Sequence, residues 1–175
     1  MRLRRTQKTV AGWIAEEAKE LLIRASAGSH PLETGGILAG VLVNGRPWVT
    51  HVREIPSQTR NHTTYVLPAG ETSGAIEVLR RSDSRVGYLG DWHSHPADVG
   101  ASHLDLRTLK LSASNGDVRA PLLVIVRRQT AEGYLIEAHE WSSKGPRRLR
   151  LAESGPLPHP RTGEPTRLGR GGRRG

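Results

Sequence analysis

Residues 90–105 read GDWHSHPADVGASHLD, a short window holding three histidines and three aspartates. His93 and His95 alternate along an extended backbone, so both imidazoles face the same side. Two imidazoles at that spacing form a natural metal pair, and nitrogen ligands suit zinc. An ion that also activates water needs a third protein ligand and an open position. Asp105, in the first turn of the helix that follows, is the candidate. Pro96 stiffens the turn between them and keeps the residue before it extended. Two plainer readings use the same residues. Ser102-x-x-Asp105 is the pattern of a helix N-cap with an acid at the third helical position, and His-Ser-His can lie in a solvated loop.

A second stretch bears on the choice. Glu33-Thr34-Gly35-Gly36 opens a strand whose remaining residues are apolar. A charge at the mouth of a buried strand, followed by two glycines, puts a carboxylate where backbone or ligand approaches closely. The alternative is a loop glutamate beside a glycine bulge.

Taken together, Glu33, His93-Ser94-His95-Pro96 and Ser102-His103-Leu104-Asp105 resemble the motif of the JAMM (MPN-plus) zinc metalloproteases, isopeptidases that detach ubiquitin and ubiquitin-like proteins. The resemblance extends over residues 9–141. It implies an α/β fold, a single MPN (cytidine-deaminase-like) domain with a mixed β-sheet flanked by helices. It also implies one Zn2+ per chain, held by His93, His95 and Asp105, with Glu33 as general base. Ser102 would donate to the oxyanion or cap the helix carrying Asp105, two roles competing for one hydroxyl. Asp91 and Ser94 take supporting positions. The segment Pro96 to Leu104 is one residue shorter than the family pattern, which leaves His103 and Asp98 as alternatives to Asp105.

The implied reaction is cleavage after the C-terminal Gly-Gly of a ubiquitin-like modifier, in deconjugation or precursor processing. The implied partners are that modifier, its conjugates and E1- or E2-like conjugation enzymes, in some relatives within antiphage defence. Two other classes stay open: a non-catalytic MPN scaffold, and a metal-dependent hydrolase of small amide adducts on a sulfur carrier.

The elements that must position these residues follow from hydrophobic pattern. Val10, Trp13, Ile14, Ala18, Leu21, Leu22 and Ala25 have helical spacing, predicting a helix over 9–27 stopped by Gly28 and Pro31. Two β-rich runs, 36–43 and 47–55, flank Asn44-Gly45, a strong hairpin signal. Residues 57–68 are polar and predict a loop, and 70–82 a short helix. Residues 85–96 predict a strand running into a loop, and 102–114 a helix. The apolar run 120–128 predicts a buried strand, paired with 133–141 across a turn at Glu132-Gly133. The order αββαβαββ implies a mixed sheet with helices on its faces.

Charge divides the chain. The net charge is +9, of which residues 1–8 carry +4 and residues 143–175 carry +7, leaving −2 on residues 9–142. Residues 1–8 therefore read as a basic arm, 9–142 as the metalloprotease domain, and 143–175 as a mobile Pro/Gly/Arg-rich tail. Such a tail engages nucleic acid only non-specifically, and the body lacks the basic stripe with interleaved aromatics of a single-strand platform. With no cysteine, disulfides, thiolate metal sites and a cysteine nucleophile are all excluded. No apolar run approaches the ~18 residues of a membrane span. The expectation is a soluble, cytoplasmic protein.

Overall fold

The computed structural model describes residues 10–115, 121–131 and 133–158. Eight strands and three helices follow in the order β1 (Gly12–Ala15), α1 (Glu16–Ser29), β2 (Gly35–Val43), β3 (Arg46–Glu54), α2 (Glu71–Ser82), β4 (Gly87–His95), α3 (His103–Asn115), β5 (Leu122–Arg128), β6 (Tyr134–Ser142), β7 (Gly145–Leu149) and β8 (Leu151–Ser154). The strands form one mixed sheet in the order β7-β6-β5-β4-β2-β3-β1-β8. The two edge strands are consecutive in the chain, with Arg150 alone between them, so the sheet must curl until its edges meet. The expected α/β architecture, a mixed sheet with helices on its faces, is what the chain adopts. Among the described residues, no helix is long and apolar enough to cross a membrane.

Two segments depart from expectation. Residues 12–15 are a strand instead of the start of a helix, paired in parallel with both β3 and β8. At Gly12 an added Cβ would lie 2.6 Å from the Pro47 carbonyl oxygen, so glycine admits the close strand approach there. The helix therefore begins at Glu16, and its buried stripe of Ala18, Leu22 and Ser26 keeps helical spacing. At the other end, the segment expected to be mobile from residue 143 supplies β7 and β8. β7 pairs with β6, and β8 with β1. Within β7 only Leu149 is buried, so the strand is held by its backbone ladder and shows no apolar alternation. The folded unit thus runs through Ser154, past the boundary expected at 142. The basic arm 1–8, Glu132 of the expected turn, and residues 159–175 lie outside the described residues.

The core lies on both faces of the sheet. Ala18 and Leu22 of α1 pack with Leu38, Val49, Trp92, Val124 and Val126 on one face. Leu109 of α3 packs with Leu123 and Ile125 on the other. The alternation along β5 therefore identifies the two faces. On β4, a register shift opposite Leu38/Ala39 leaves Leu89 and Trp92 in the same core although they stand three residues apart. The bulge turns at Gly90 (φ 148°), where a Cβ would lie 2.0 Å from the Leu122 carbonyl oxygen. Beyond it the alternation is reset: Trp92 faces α1, so His93 and His95 face the side that carries α3.

Candidate metal centre

Glu33 sits two residues before β2, buried, with its amide donating to the Asn61 carbonyl at 2.8 Å. Its neighbour Thr34 is bound to β4 twice. The Thr34 amide donates to Ser94 Oγ at 3.0 Å, and the Ser94 amide donates to the Thr34 carbonyl at 2.7 Å. Thr34 Oγ1 also donates to Glu54 Oε1 at 2.5 Å. The serine between the two histidines therefore holds the glutamate's segment beside them. Register agrees, with Gly35 opposite His93.

The two imidazoles meet at Nε2, 3.1 Å apart. The Asp105 carboxylate approaches both, with Oδ1 3.2 Å from His93 Nε2 and Oδ2 3.6 Å from His95 Nε2. Glu33 Oε1 stands further back, 4.0 Å from His95 Nε2. Glu33, His93 and His95 each offer a ligand atom within 4.8 Å of the others. Asp105 approaches the histidines more closely than Glu33 does, despite the shortened loop. The alternatives to it lie elsewhere. Asp98 stands 3.1 Å from Arg127 Nε, and His103 is exposed at the start of α3.

Whether these groups suit a metal follows from their chemistry. His95 Nδ1 donates to the Val99 carbonyl at 2.8 Å, which fixes the tautomer and leaves a lone pair on Nε2. Burial holds the His95 pKa below its usual range, so the ring is neutral near pH 7, as a ligand must be. Burial opposes ionisation of Asp105, but the His93 contact and two Ser102 hydrogen bonds outweigh it and hold the carboxyl well below the usual range. Donor atoms around a tetrahedral ion with nitrogens at ~2.0–2.1 Å lie roughly 3.3 Å apart. Two separations match that spacing, 3.1 Å between the imidazole nitrogens and 3.2 Å from His93 to Asp105 Oδ1, while His95 faces the other carboxylate oxygen at 3.6 Å. The residues fit a divalent cation.

Glu33 differs in character from Asp105. Burial raises its pKa to about 7, with His93 lowering it and Asp105 raising it. A carboxylate poised near neutrality beside a metal face has the properties of a general base. Ser102 caps α3 in a reciprocal box: its amide donates to Asp105 Oδ2 at 2.6 Å, and Asp105 N–H donates to Ser102 Oγ at 3.2 Å. In the cap the hydroxyl accepts from the Asp105 amide, and its own proton is drawn to the Asp105 carboxylate, so donation elsewhere competes with that contact. Asp91 is half-buried on β4 and accepts from Tyr88 OH at 2.7 Å.

Some contributors had little signal in the sequence. The Val99 carbonyl is backbone and carries none. Glu137 and His139 alternate on β6, a pattern that resembles a solvated face, yet both are buried and bond to each other at 2.7 Å.

The family model for prokaryotic homologs of the JAB domain matches residues 15–143. A CD-NTase/cGAS isopeptidase of Pseudomonas aeruginosa is 28% identical over 135 residues, covering 68% of this chain and 85% of its own. The probable metalloprotease y4qB of Sinorhizobium fredii is 31% identical over 147 residues, covering 81% and 88%. Protein DSY2949 of Desulfitobacterium hafniense shares the fold, with a TM-score of 0.68 at 17% identity over 83% of this chain and 94% of that one. A Salinibacter ruber protein does so at 0.55 and 19%, over 84% and 96%. The matched stretch contains Glu33, both histidines and Asp105, and the chain belongs to the prokaryotic JAB-domain family of hydrolases.

Proposed function

We propose that this chain is a zinc-dependent isopeptidase that cleaves after the C-terminal Gly-Gly of a ubiquitin-like modifier, with one zinc ion per chain on His93, His95 and Asp105. The observation carrying the reading is the convergence of these three side chains on one face, with Glu33 set behind them at 4.0 Å from His95. The relative named as an isopeptidase supports a protein conjugate as substrate. The partners are then the modifier, its conjugates and the E1- or E2-like enzymes that make them, in the cytoplasm and in an antiphage setting.

Held by His93, His95 and Asp105, a zinc ion would supply Lewis acidity toward the scissile carbonyl and lower the pKa of a water toward ~7. Glu33 takes the proton of the attacking water at its carboxylate and returns it to the leaving lysine amine. In the metal-free site burial raises its pKa, the direction that favours holding the proton between the two halves of that transfer. The Ser102 hydroxyl donates to the carbonyl oxygen as negative charge develops on it. Asp105, buttressed by the Ser102 amide, stays ionised throughout. His95, tied to Val99, keeps its Nε2 lone pair aimed at the site.

The test is cleavage of a modifier fused through Gly-Gly to a reporter, with and without a zinc chelator. Expected is release of the reporter that the chelator stops and added zinc restores. No cleavage of any Gly-Gly fusion by metal-loaded protein would leave a scaffold. Cleavage of short amides but not of fusions would make it a small-amide hydrolase.

A further inference from the structure

We infer that Glu137, backed by Arg127, is a positioning residue for the metal centre, fixing the 96–102 loop that orients His95 and delivers Asp105. The inference rests on the metal-site reading above.

The loop leaves β4 at His95 and enters α3 at His103. Its midpoint, Val99, gives its carbonyl to His95 Nδ1, so wherever the loop sits, the His95 ring follows. The Val99 side chain itself is exposed. The residues around it are fastened instead. Asp98 Oδ1 stands 3.1 Å from Arg127 Nε. Gly100 lies so close to the next strands that an added Cβ would be 3.0 Å from Glu137 Oε1 and 3.3 Å from Arg127 Nη1. The Ala101 backbone lies close enough to the Glu137 carboxylate to favour its ionised form. Arg127 is the register partner of His95 across β4 and β5, which puts the clamp directly beside the ligand.

Glu137 is itself held rigidly. It is 6% exposed, yet its carboxylate meets His139 Nε2 at 2.7 Å, Arg148 Nη2 at 3.1 Å and Arg127 Nη1 at 3.4 Å. Arg148 comes from β7, so the basic C-terminal segment also supports the clamp. A buried ionic cluster is weak evidence of stabilisation, because desolvation offsets attraction. What this cluster does supply is a fixed acceptor for a loop amide and a fixed cation for a loop carboxylate. Loss of a partner that orients a ligating histidine typically costs about 10–100-fold in metal affinity.

The test uses the full chain as wild type, Glu137→Ala, Glu137→Gln and Gly100→Ala. Zinc affinity is measured against a competing chelator, the cobalt(II) absorption spectrum reports coordination, and circular dichroism reports folding. Glu137→Ala, folded, is expected to bind zinc about 10–100-fold more weakly, with altered cobalt bands. Glu137→Gln keeps an acceptor for Ala101 and is expected to fall between it and wild type. If Glu137→Ala fails to fold, Gly100→Ala decides, since the atoms nearest its methyl belong to the Glu137 and Arg127 side chains, and it is expected to alter the cobalt spectrum in the same direction. Folded variants with wild-type affinity and spectrum overturn the positioning role while leaving the metal site standing. Wild type that binds neither zinc nor cobalt overturns both.

Discussion

Thr34 and Ser94 exchange two hydrogen bonds, amide to hydroxyl at 3.0 Å and amide to carbonyl at 2.7 Å, with both residues buried. One side of this pair carries Glu33 and the other carries both histidines. Replacing Ser94 with alanine leaves the Thr34 amide buried without its acceptor. We expect a loss of about 1–3 kcal/mol in denaturant unfolding, together with reduced turnover. A midpoint unchanged from wild type would show that the base's segment is held by other means.

Glu33→Gln keeps the shape of the side chain and removes the proton acceptor. Turnover is expected to fall by about 10²–10⁴-fold, while zinc content stays near one per chain. Loss of zinc along with activity would make Glu33 a ligand.

Asp105 has two duties that substitution can separate. Asp105→Asn preserves an oxygen to accept the Ser102 amide but removes the charge, so metal affinity falls while the melting temperature holds. Asp105→Ala loses both and costs in addition about 1 kcal/mol of helix capping. Unchanged zinc binding in Asp105→Asn would refute its role as a ligand.

At Ser102 the informative pair is glycine and alanine. Glycine is a tolerable N-cap, only a few tenths of a kcal/mol worse than serine, whereas alanine costs about 0.5–2 kcal/mol. If the hydroxyl donates to the developing oxyanion, both variants lose about 10²–10³-fold in kcat. Activity retained in Ser102→Gly and lost in Ser102→Ala would assign the residue to capping alone.

The Glu33 pKa sets a pH dependence in the metal-free protein. The folded state raises it from 4.5 to about 7, so folding is favoured when the group is protonated. That contribution is complete below pH ~4.5, is lost as pH rises to ~7 and stays flat above, a swing of about 3 kcal/mol. His95, with its pKa lowered by burial, pulls the other way near its own titration. The stability difference between wild type and Glu33→Gln, followed from pH 4 to 8, isolates the Glu33 effect. A flat difference would mean that Glu33 titrates normally.

Much of this arrangement was legible in the sequence, and the rest was hidden for definite reasons. His-x-His on extended backbone announced a shared face, and Asn44-Gly45 turns with φ of 51° and 74°, as its hairpin signal requires. β1 was missed because Trp13 and Ile14 continue the spacing of Ala18 and Leu22, and four residues are too few to separate the two periods. β7 and β8 were missed because the arginine-bearing β7 and the four-residue β8 pair through backbone and fully bury only Leu149, so their side chains look like those of a tail. The Val99 carbonyl has no side-chain signature at all. A glutamate and a histidine buried on β6 mimic solvent-facing residues, because alternation reports that a strand has two sides without telling which side is wet.

The pairing of β1 with β8 joins residues 12–15 to residues 151–154, almost the whole length of the fold apart. During synthesis, everything that forms the metal face exists before the strand that closes the sheet has been made. Until then, β1 presents an unpaired edge of the kind that invites association with other chains. Such long-range closure is also the slow kind of contact to form. A message cut short between Leu149 and Leu151 therefore yields a chain with its metal face and the supports of that face but no seal, a product destined for aggregation or proteolysis instead of partial activity.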